Sequence, residues 1–153
     1  MGIGNDIKQE TFKSEFHKII VNLMFTNNWL NEQENKIFKP WGLTVAQYNV
    51  LRILRGQYPK PATINLLIER MLDRMSNASR IVDKLTAKDL VARQQNAKDK
   101  RAVDVVITKK GLDLLAILDK DLDKFEESIN QFSNEECMGV NAFLDRFRGT
   151  ELY

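Results

Sequence analysis

Residues 96–111, NAKDKRAVDVVITKKG, decide the fold that this sequence predicts. The stretch begins with a polar loop rich in basic side chains. Residues 103–107 follow, with valine or isoleucine at every second position, which is the period of a β-strand. The segment from Leu90 to Gln94 is also short enough for a strand. The two segments together therefore predict a β-hairpin with a cationic tip.

Helices are predicted upstream of this hairpin. A first helix starts after Thr44, whose hydroxyl can act as an N-cap, and continues to Gly56. Thr63 can cap a second helix in the same way, from Ile64 to about Leu72. After a tight connection at residues 73–74, a third helix runs from about Met75 to Lys88. Two short helices joined by about three residues have the layout of a helix-turn-helix.

The last of these helices is predicted to have a buried face and an outward face. Ile81, Val82 and Leu85 pack inward, which leaves small polar and basic side chains outside. Small hydrogen-bonding groups at a helix N-terminus can approach base edges in a major groove, and basic groups can reach bases or phosphates. An ordinary solvated helix face has the same polarity, so this pattern alone leaves both interpretations open. The outward residues are Ser76, Asn77, Ser79, Arg80, Asp83 and Lys84.

A helix-turn-helix followed by such a hairpin predicts a winged helix. A cationic wing tip can enter a minor groove, where narrow geometry concentrates negative potential and the weakly hydrated guanidinium of Arg101 suits the site. Lys98 and Lys100 are the other DNA-binding residues expected at this tip. Asp99 would repel a phosphate, so we expect its carboxylate to stabilise the wing loop by hydrogen bonds instead.

The charge distribution favours a polyanionic partner. The whole chain has a formal net charge of +2, from 23 basic and 21 acidic side chains. Residues 74–110 contain ten basic and four acidic side chains, a net charge of +6, and the rest contains 13 basic and 17 acidic ones, a net charge of −4. Such segregation is typical of a protein that presents one surface to nucleic acid, although a charge run is often only a solvated face.

The sequence offers little for catalysis. His17 is the single histidine and Cys137 the single cysteine, so we expect no catalytic residues, no metal site and no cofactor. We interpret His17 as structural, and Cys137 as a small buried hydrophobe rather than an oxidant sensor. No apolar run approaches the roughly 20 residues of a membrane span, and the first residues do not read as a secretion signal. We therefore expect a cytoplasmic protein without membrane contact.

The two ends of the chain predict amphipathic helices. Apolar spacing predicts one helix over about residues 9–38, and Ser133 with Glu136 predicts a capping box at the start of the last helix. A winged helix of about 70 residues could not cover all these apolar faces, so we expect a homodimer, with a self-contained monomeric bundle as the alternative. The expected dimerisation residues are Phe12, Phe16, Leu122, Phe125, Phe143 and Phe147.

These elements give the predicted fold class and organisation. The class is mainly α with a small β-hairpin wing. The 153 residues are enough for one core, so we expect a single domain over residues 1–153. Within it, residues 43–108 form the winged helix-turn-helix that binds DNA, and residues 8–42 and 109–153 form a helical dimerisation region.

Three stretches resemble the multiple antibiotic resistance regulator (MarR) family of bacterial transcription factors. They are LTVAQYNVLRIL (43–54), SNASRIVDKLTAKDLVAR (76–93) and DKRAVDVVITKKG (99–111). The third is the most specific, and its matching residues are Asp99, Arg101, Val105, Ile107, Thr108 and Gly111. One departure is Asp89, where the family usually has glycine. That position requires a left-handed backbone, which aspartate tolerates at a cost, so the fold is not in doubt.

The resemblance implies a function. Members of the family are homodimers that bind palindromic operators and often repress transcription until a small molecule or an oxidant releases them. We therefore predict a dimeric DNA-binding transcriptional repressor whose partners are double-stranded DNA, a second copy of the chain and an unidentified small-molecule effector. The alternative is a winged-helix module for protein contact, in which the basic surface meets an acidic partner.

Overall fold

A computed structural model describes residues 2–149 and has the predicted fold class. The chain divides after Asp121 into two units. Among the described residues, no helix is both long and apolar enough to cross a membrane. The elements are α1 (Ile3–Asp6), α2 (Glu15–Phe38), a 3₁₀ turn (Lys39–Trp41), α3 (Val45–Gln57), β1 (Ala62–Thr63), α4 (Ile64–Arg70), α5 (Ala78–Ala87), β2 (Val91–Gln95), β3 (Val103–Ile107), α6 (Lys109–Ile129) and α7 (Asn134–Arg148).

Helix α2 is shorter than the predicted segment 9–38. Helix α2 begins at Glu15, because the Ser14 hydroxyl accepts the His17 N–H at 3.0 Å and caps the helix there. Before this cap, Lys8 has a left-handed backbone with φ +54°, which no helix can include. Phe12 therefore lies outside α2, in a connecting segment.

The N-caps of α3 and α4 are confirmed. The Thr44 hydroxyl accepts the Gln47 N–H at 3.2 Å, and the Gln47 side chain accepts the Thr44 N–H at 3.2 Å, which completes a capping box. The Thr63 hydroxyl accepts the Leu66 N–H at 3.2 Å. Because both caps are made by side chains within three residues of the helix start, they are readable from sequence.

The connection between α4 and α5 is longer than predicted. Helix α4 ends at Arg70 and α5 begins at Ala78, so seven residues, not about three, separate them. The predicted start at Met75 is wrong because residues 73–77 form a turn that is held by side-chain hydrogen bonds. The two helices still lie in the order of a helix-turn-helix.

The wing is part of a three-stranded antiparallel sheet with strand order β1-β3-β2. Strand β3 has the predicted bounds and β2 is shifted by one residue. The sequence did not predict β1, in which Ala62 pairs with Val105. The predicted alternation along β3 is wrong at its start, since Val103 is exposed and Asp104 is buried. The Asn96 amide donates to the Asp104 carboxylate at 2.8 Å, which compensates for burial of that carboxylate.

The core of the first unit is apolar and is formed mainly by α3, α5, β3 and the first part of α6. Burying such side chains stabilises a fold by about 1.5–3 kcal/mol each. The inward packing predicted for α5 is confirmed, because Ile81, Val82 and Leu85 are all buried. The largest fully buried side chains are Phe38, Leu51, Leu54, Leu67, Leu85, Ile107, Leu115, Leu118, Val50, Val82 and Val105.

A short junction joins α5, the hairpin and α6. Asp89 has the expected left-handed backbone, with φ +58°, and turns the chain from α5 into β2. The Thr108 hydroxyl donates to the Asp89 carbonyl at 2.7 Å and accepts the Gly111 N–H at 3.1 Å. A Cβ at Gly111 would meet the Leu90 carbonyl and come within 2.7 Å of Ile107 Cγ1. Only glycine fits at this crossing.

The second unit contains the end of α6 and helix α7. The predicted capping box is confirmed, because the Ser133 hydroxyl accepts the Glu136 N–H at 3.2 Å and the Glu136 carboxylate accepts the Ser133 N–H at 2.8 Å. Helix α7 has no buried residue. The interpretation of Cys137 as a buried hydrophobe is therefore wrong, since its thiol lies on an exposed part of α7.

We expect Gly111→Ala to lower the free energy of unfolding by about 1–3 kcal/mol, because the added methyl group overpacks the junction against backbone that cannot move away. Urea titration followed by circular dichroism measures this change. Gly56→Ala is the matched control, since a Cβ there has nothing within 4 Å and alanine favours a helix. Equal midpoints for the Gly111→Ala variant and the wild type would contradict the steric argument.

Candidate nucleic-acid interface

The turn before α5 is organised by one carboxylate. Asp73 accepts the Ser76 hydroxyl at 2.6 Å and the Met75 N–H at 3.0 Å. The hydrogen bond from Ser76, followed by that from Met75, holds the pKa of Asp73 below its usual value. The turn is thus fixed by local bonds, and Ser76, a predicted DNA-binding residue, is half-buried with its hydroxyl engaged.

Asn77 caps α5. Its side-chain oxygen accepts the Arg80 N–H at 2.9 Å, so Asn77 is the residue before the helix and not a member of its first turn. The cap leaves the amide N–H groups of Asn77 as donors at the exposed N-terminus. Asn77 thus has a structural role that the sequence prediction missed, and its base-reading role stays a prediction.

The outward face of α5 has the expected composition. Ser79, Arg80, Asp83 and Lys84 are all exposed. Their spacing places Ser79 one turn before Asp83, and Arg80 one turn before Lys84. The helix therefore presents two parallel pairs of polar side chains to solvent.

The wing tip is held by side-chain caps of its own. The Asn96 side-chain oxygen accepts the Lys98 N–H at 2.8 Å and the Asp99 N–H at 2.9 Å, and the Asp99 carboxylate accepts the Arg101 N–H at 2.9 Å. This loop fixes its backbone with asparagine and aspartate, as tight turns commonly do. The side chains of Lys98, Lys100 and Arg101 are exposed. A hydrogen-bonded loop thus carries three exposed basic side chains.

An ion pair that the sequence did not predict links the hairpin to α5. Arg93 lies on β2, and its Nη2 is 2.8 Å from Asp83 Oδ1 and 3.3 Å from the Ser79 carbonyl oxygen. The spacing of Ser79 and Asp83 on one helix face was visible in the sequence, but no local pattern points from Asp83 to a residue ten positions later.

The acidic side chains of this surface are engaged. Asp83 pairs with Arg93, Asp99 accepts a backbone N–H, and Asp104 is buried against an amide. The basic side chains at the helix face and the wing tip are directed to solvent instead. The surface formed by residues 76–84 and 98–101, here called the basic face, contains five basic and two acidic side chains, a net charge of +3.

The predicted dimerisation residues differ in exposure. Phe16 on α2 is 61% exposed, and Phe12 is half-buried. In the second unit, Leu122 is buried and Phe125 is half-buried. Phe143 and Phe147 on α7 are half-buried, and their ring centroids lie 5.9 Å apart.

Nothing in the described part of the chain resembles a metal site, since no three His, Cys, Asp or Glu side chains group in a suitable way. His17 is half-buried, and its Nδ1 atom has no hydrogen-bond partner. Its ring packs 6.4 Å from the Phe12 ring, measured between centroids.

The first unit also contains an apolar groove of about 560 Å³, which is lined in part by Lys88, the residue after α5. Its walls include Trp41, Leu114 and Ile117. Lys88 donates a hydrogen bond to the Gly42 carbonyl, and Lys110 donates to the Lys88 carbonyl at 2.8 Å. Two ammonium groups thus lie at the edge of an apolar surface.

A helix-turn-helix, a hydrogen-bonded wing and a cationic outer surface define the class of this protein as a winged helix-turn-helix protein. The model of the MarR family matches residues 41–102. The chain is also 28% identical over 130 residues to the HTH-type transcriptional regulator MhqR of Bacillus subtilis. The matched residues make up 84% of this chain and 88% of that protein. Residues 41–102 are thus similar to the MarR family, and a larger part of the chain is similar to an HTH-type transcriptional regulator.

Solved structures share the fold. A MarR-like transcription regulator from Bacillus cereus has a TM-score of 0.76 at 21% identity, over 88% of this chain and 96% of that one. BpsR of Bordetella bronchiseptica, whose DNA binding is regulated by 6-hydroxynicotinic acid, has a TM-score of 0.72 at 19% identity, over 84% and 91% of the two chains.

We expect Asn77→Ala to lower the free energy of unfolding by about 1 kcal/mol, because the Arg80 N–H loses its acceptor at the helix start. Asn77→Asp keeps a capping oxygen and should retain most of the stability. Chemical denaturation of the three proteins measures the difference. Wild-type stability in the alanine variant would show that this cap contributes nothing.

Proposed function

We propose that the chain is a homodimeric transcriptional repressor in which α5 lies in the major groove of a palindromic operator and the wing enters the adjacent minor groove. The single observation that carries this proposal is the basic face, where a capped helix with small polar side chains at its front stands beside an ordered cationic wing. Electrostatic attraction to DNA phosphates requires only basic side chains. Reading the bases also requires short side chains that form hydrogen bonds with base edges.

The residues divide by chemistry. Arg80 and Asn77, with Ser76 and Ser79 in support, are the candidates for base contact, because they sit at the front of the helix. Lys84, Lys98 and Lys100 are the candidates for phosphate contact. Arg101 is the candidate for the minor groove, where a weakly hydrated guanidinium is favoured.

Exposed apolar side chains on the terminal helices support a dimer. In α2, Phe16 is joined by Met24, Phe25 and Trp29, all of them exposed. Helix α7 has no buried residue, and a 15-residue helix is marginal by itself in water. Residues 8–42 and 109–149 would therefore supply the interface and residues 43–108 the DNA-binding region; residues 150–153 of the predicted region lie outside the described residues.

The groove lined by Trp41 is the candidate for effector release. It is large enough for a small molecule and combines apolar walls with ammonium groups. Lys88 follows the recognition helix directly, so a ligand that displaces its hydrogen bond to Gly42 acts on the end of that helix. The regulation of BpsR by a small molecule supports the same idea.

A protein-contact module is the second candidate function. It would use the basic face against an acidic partner and would not require small polar groups at a helix front. Selection from a random duplex pool decides between the two, because only a sequence-specific regulator enriches a consensus. The selected duplex and a scrambled one are then titrated by fluorescence anisotropy across a salt series, with variants at Asn77, Arg80 and Lys84. Base-contact variants should lose discrimination, and phosphate-contact variants should lose affinity for both duplexes.

We expect Arg101→Ala to weaken binding to the selected duplex by about 1–3 kcal/mol without changing stability, because it removes a groove contact from an exposed loop. Lys98→Ala on the same loop is the comparison, and it should mainly make the salt slope shallower by about one unit. Anisotropy titrations at several salt concentrations measure both effects. If the two variants behaved alike, the wing would be a phosphate contact only.

We expect wild-type protein to sediment as a dimer and Phe16→Asp to sediment as a monomer, because the carboxylate would be buried unpaired in the interface. Phe16 is 61% exposed in the single chain, so the substitution should leave the monomer folded. Leu72→Asp is the control, since that side chain is 88% exposed and lies outside the proposed interface. A one-chain mass for the wild type at micromolar concentration would refute the dimer.

A further inference from the structure

One guanidinium connects the two elements of the basic face. Arg93 lies midway along β2, and the same Nη2 atom reaches two acceptors on α5, which are the Asp83 carboxylate at 2.8 Å and the Ser79 carbonyl at 3.3 Å. These acceptors are four residues apart, so they lie one above the other on the helix. The Ser79 carbonyl points along the helix toward Asp83, so the guanidinium contacts α5 at one place through two acceptors.

Fold stability does not account for this pair. The Arg93 and Asp83 side chains are 34% and 60% exposed, and ion pairs so open to water contribute little to unfolding free energy. Asp83 also stands next to Arg80 and Lys84 on the outward face, where an unpaired carboxylate would oppose binding to phosphate. The pairing with Arg93 compensates the charge of the Asp83 carboxylate and fixes the orientation of that side chain.

Strand β2 transmits the position of Arg93 to the wing tip. Five residue pairs join β2 to β3, including Arg93 with Val105 and Gln95 with Val103. Beyond Gln95, the tip is closed by the Asn96 and Asp99 hydrogen bonds. A restraint between α5 and the middle of β2 is therefore a restraint on the cationic tip.

We propose that Arg93, acting through Asp83, is a positioning residue that sets the separation of the recognition helix and the wing, so that both enter their grooves in one binding event. This inference rests on the proposed DNA binding. Two contacts that are held at the correct separation reinforce each other, because the second does not incur a new ordering cost. Without the ion pair, the wing contact forms less often while α5 is bound.

Asp83→Asn gives the sharpest test, because electrostatics and positioning predict opposite signs. Removal of a negative charge from a DNA-facing surface should tighten binding if charge alone matters. The positioning role predicts that Asp83→Asn and Arg93→Gln each weaken binding to the selected duplex by about tenfold. Asp113→Asn is the matched control, since it breaks a different exposed ion pair, with Lys109, and should leave affinity unchanged.

A double-mutant cycle with Arg101→Ala identifies what is positioned. If Asp83 and Arg93 hold the wing in position relative to α5, Arg101→Ala should reduce affinity much less in the Asp83→Asn background than in the wild type. The salt slope of Asp83→Asn should stay at or above the wild-type value, since no cation is lost. Thermal unfolding of each variant checks that the fold is intact.

The outcomes separate the proposals. Tighter binding by Asp83→Asn, or full additivity with Arg101→Ala while the wild type remains selective, overturns the positioning role alone. A salt slope reduced by about one unit in Arg93→Gln, with no loss in Asp83→Asn, would make Arg93 a phosphate contact. A wild type that binds selected and scrambled duplexes equally overturns the proposed function and the positioning role together.

Discussion

The close approach of Gly111 to the Leu90 carbonyl is the constraint on which the winged helix depends. At this crossing the chain leaves α5 through the left-handed Asp89, enters the hairpin, returns along β3 and starts α6. The Thr108 hydroxyl joins the two passes by bonding both to the Asp89 carbonyl and to the Gly111 N–H. Because three elements meet within a few residues, the direction of the wing and that of α6 cannot vary independently.

Aspartate side chains serve the basic face as internal supports. Asp73 fixes the turn before α5, Asp99 fixes the wing tip, and Asp83 binds Arg93. Each carboxylate accepts hydrogen bonds from donors close to it, which fix its orientation without removing its charge. The lysines and arginines of the same surface remain exposed to solvent. The surface formed by residues 76–84 and 98–101 thus combines five basic side chains with two acidic ones, a net charge of +3.

The sequence predicted the parts of the fold that are determined locally. The caps at Thr44, Thr63 and Ser133 and the buried face of α5 follow from side chains within one or two helical turns. The predicted start of α5 was wrong because the side chains of Asp73 and Asn77 accept backbone N–H groups there. Such hydrogen bonds compete with helix formation. Other features depend on distant partners. Strand β1 has two residues and exists only through β3, and no local pattern could reveal it.

The candidate site was predictable to a similar degree. Helical periodicity was enough to assign the outward residues of α5, and composition was enough to predict a cationic tip. The bond from Arg93 to Asp83 depends on the packing of β2 against α5, which is a tertiary property. The engagement of Ser76 by Asp73 was also hidden, because it follows from a turn that the helical pattern did not include.

The cap at Asn77 also bears on which bases the proposed complex can read. An asparagine that reads adenine uses its oxygen and its nitrogen together, as acceptor and donor. In this chain the oxygen already accepts the Arg80 N–H, so the side chain presents mainly its N–H donors outward. Those donors suit N7 of either purine, O6 of guanine or O4 of thymine. Arg80 is exposed and can pair with guanine through two donors, so in the proposed complex Arg80 is the side chain at the front of α5 that is best suited to read guanine.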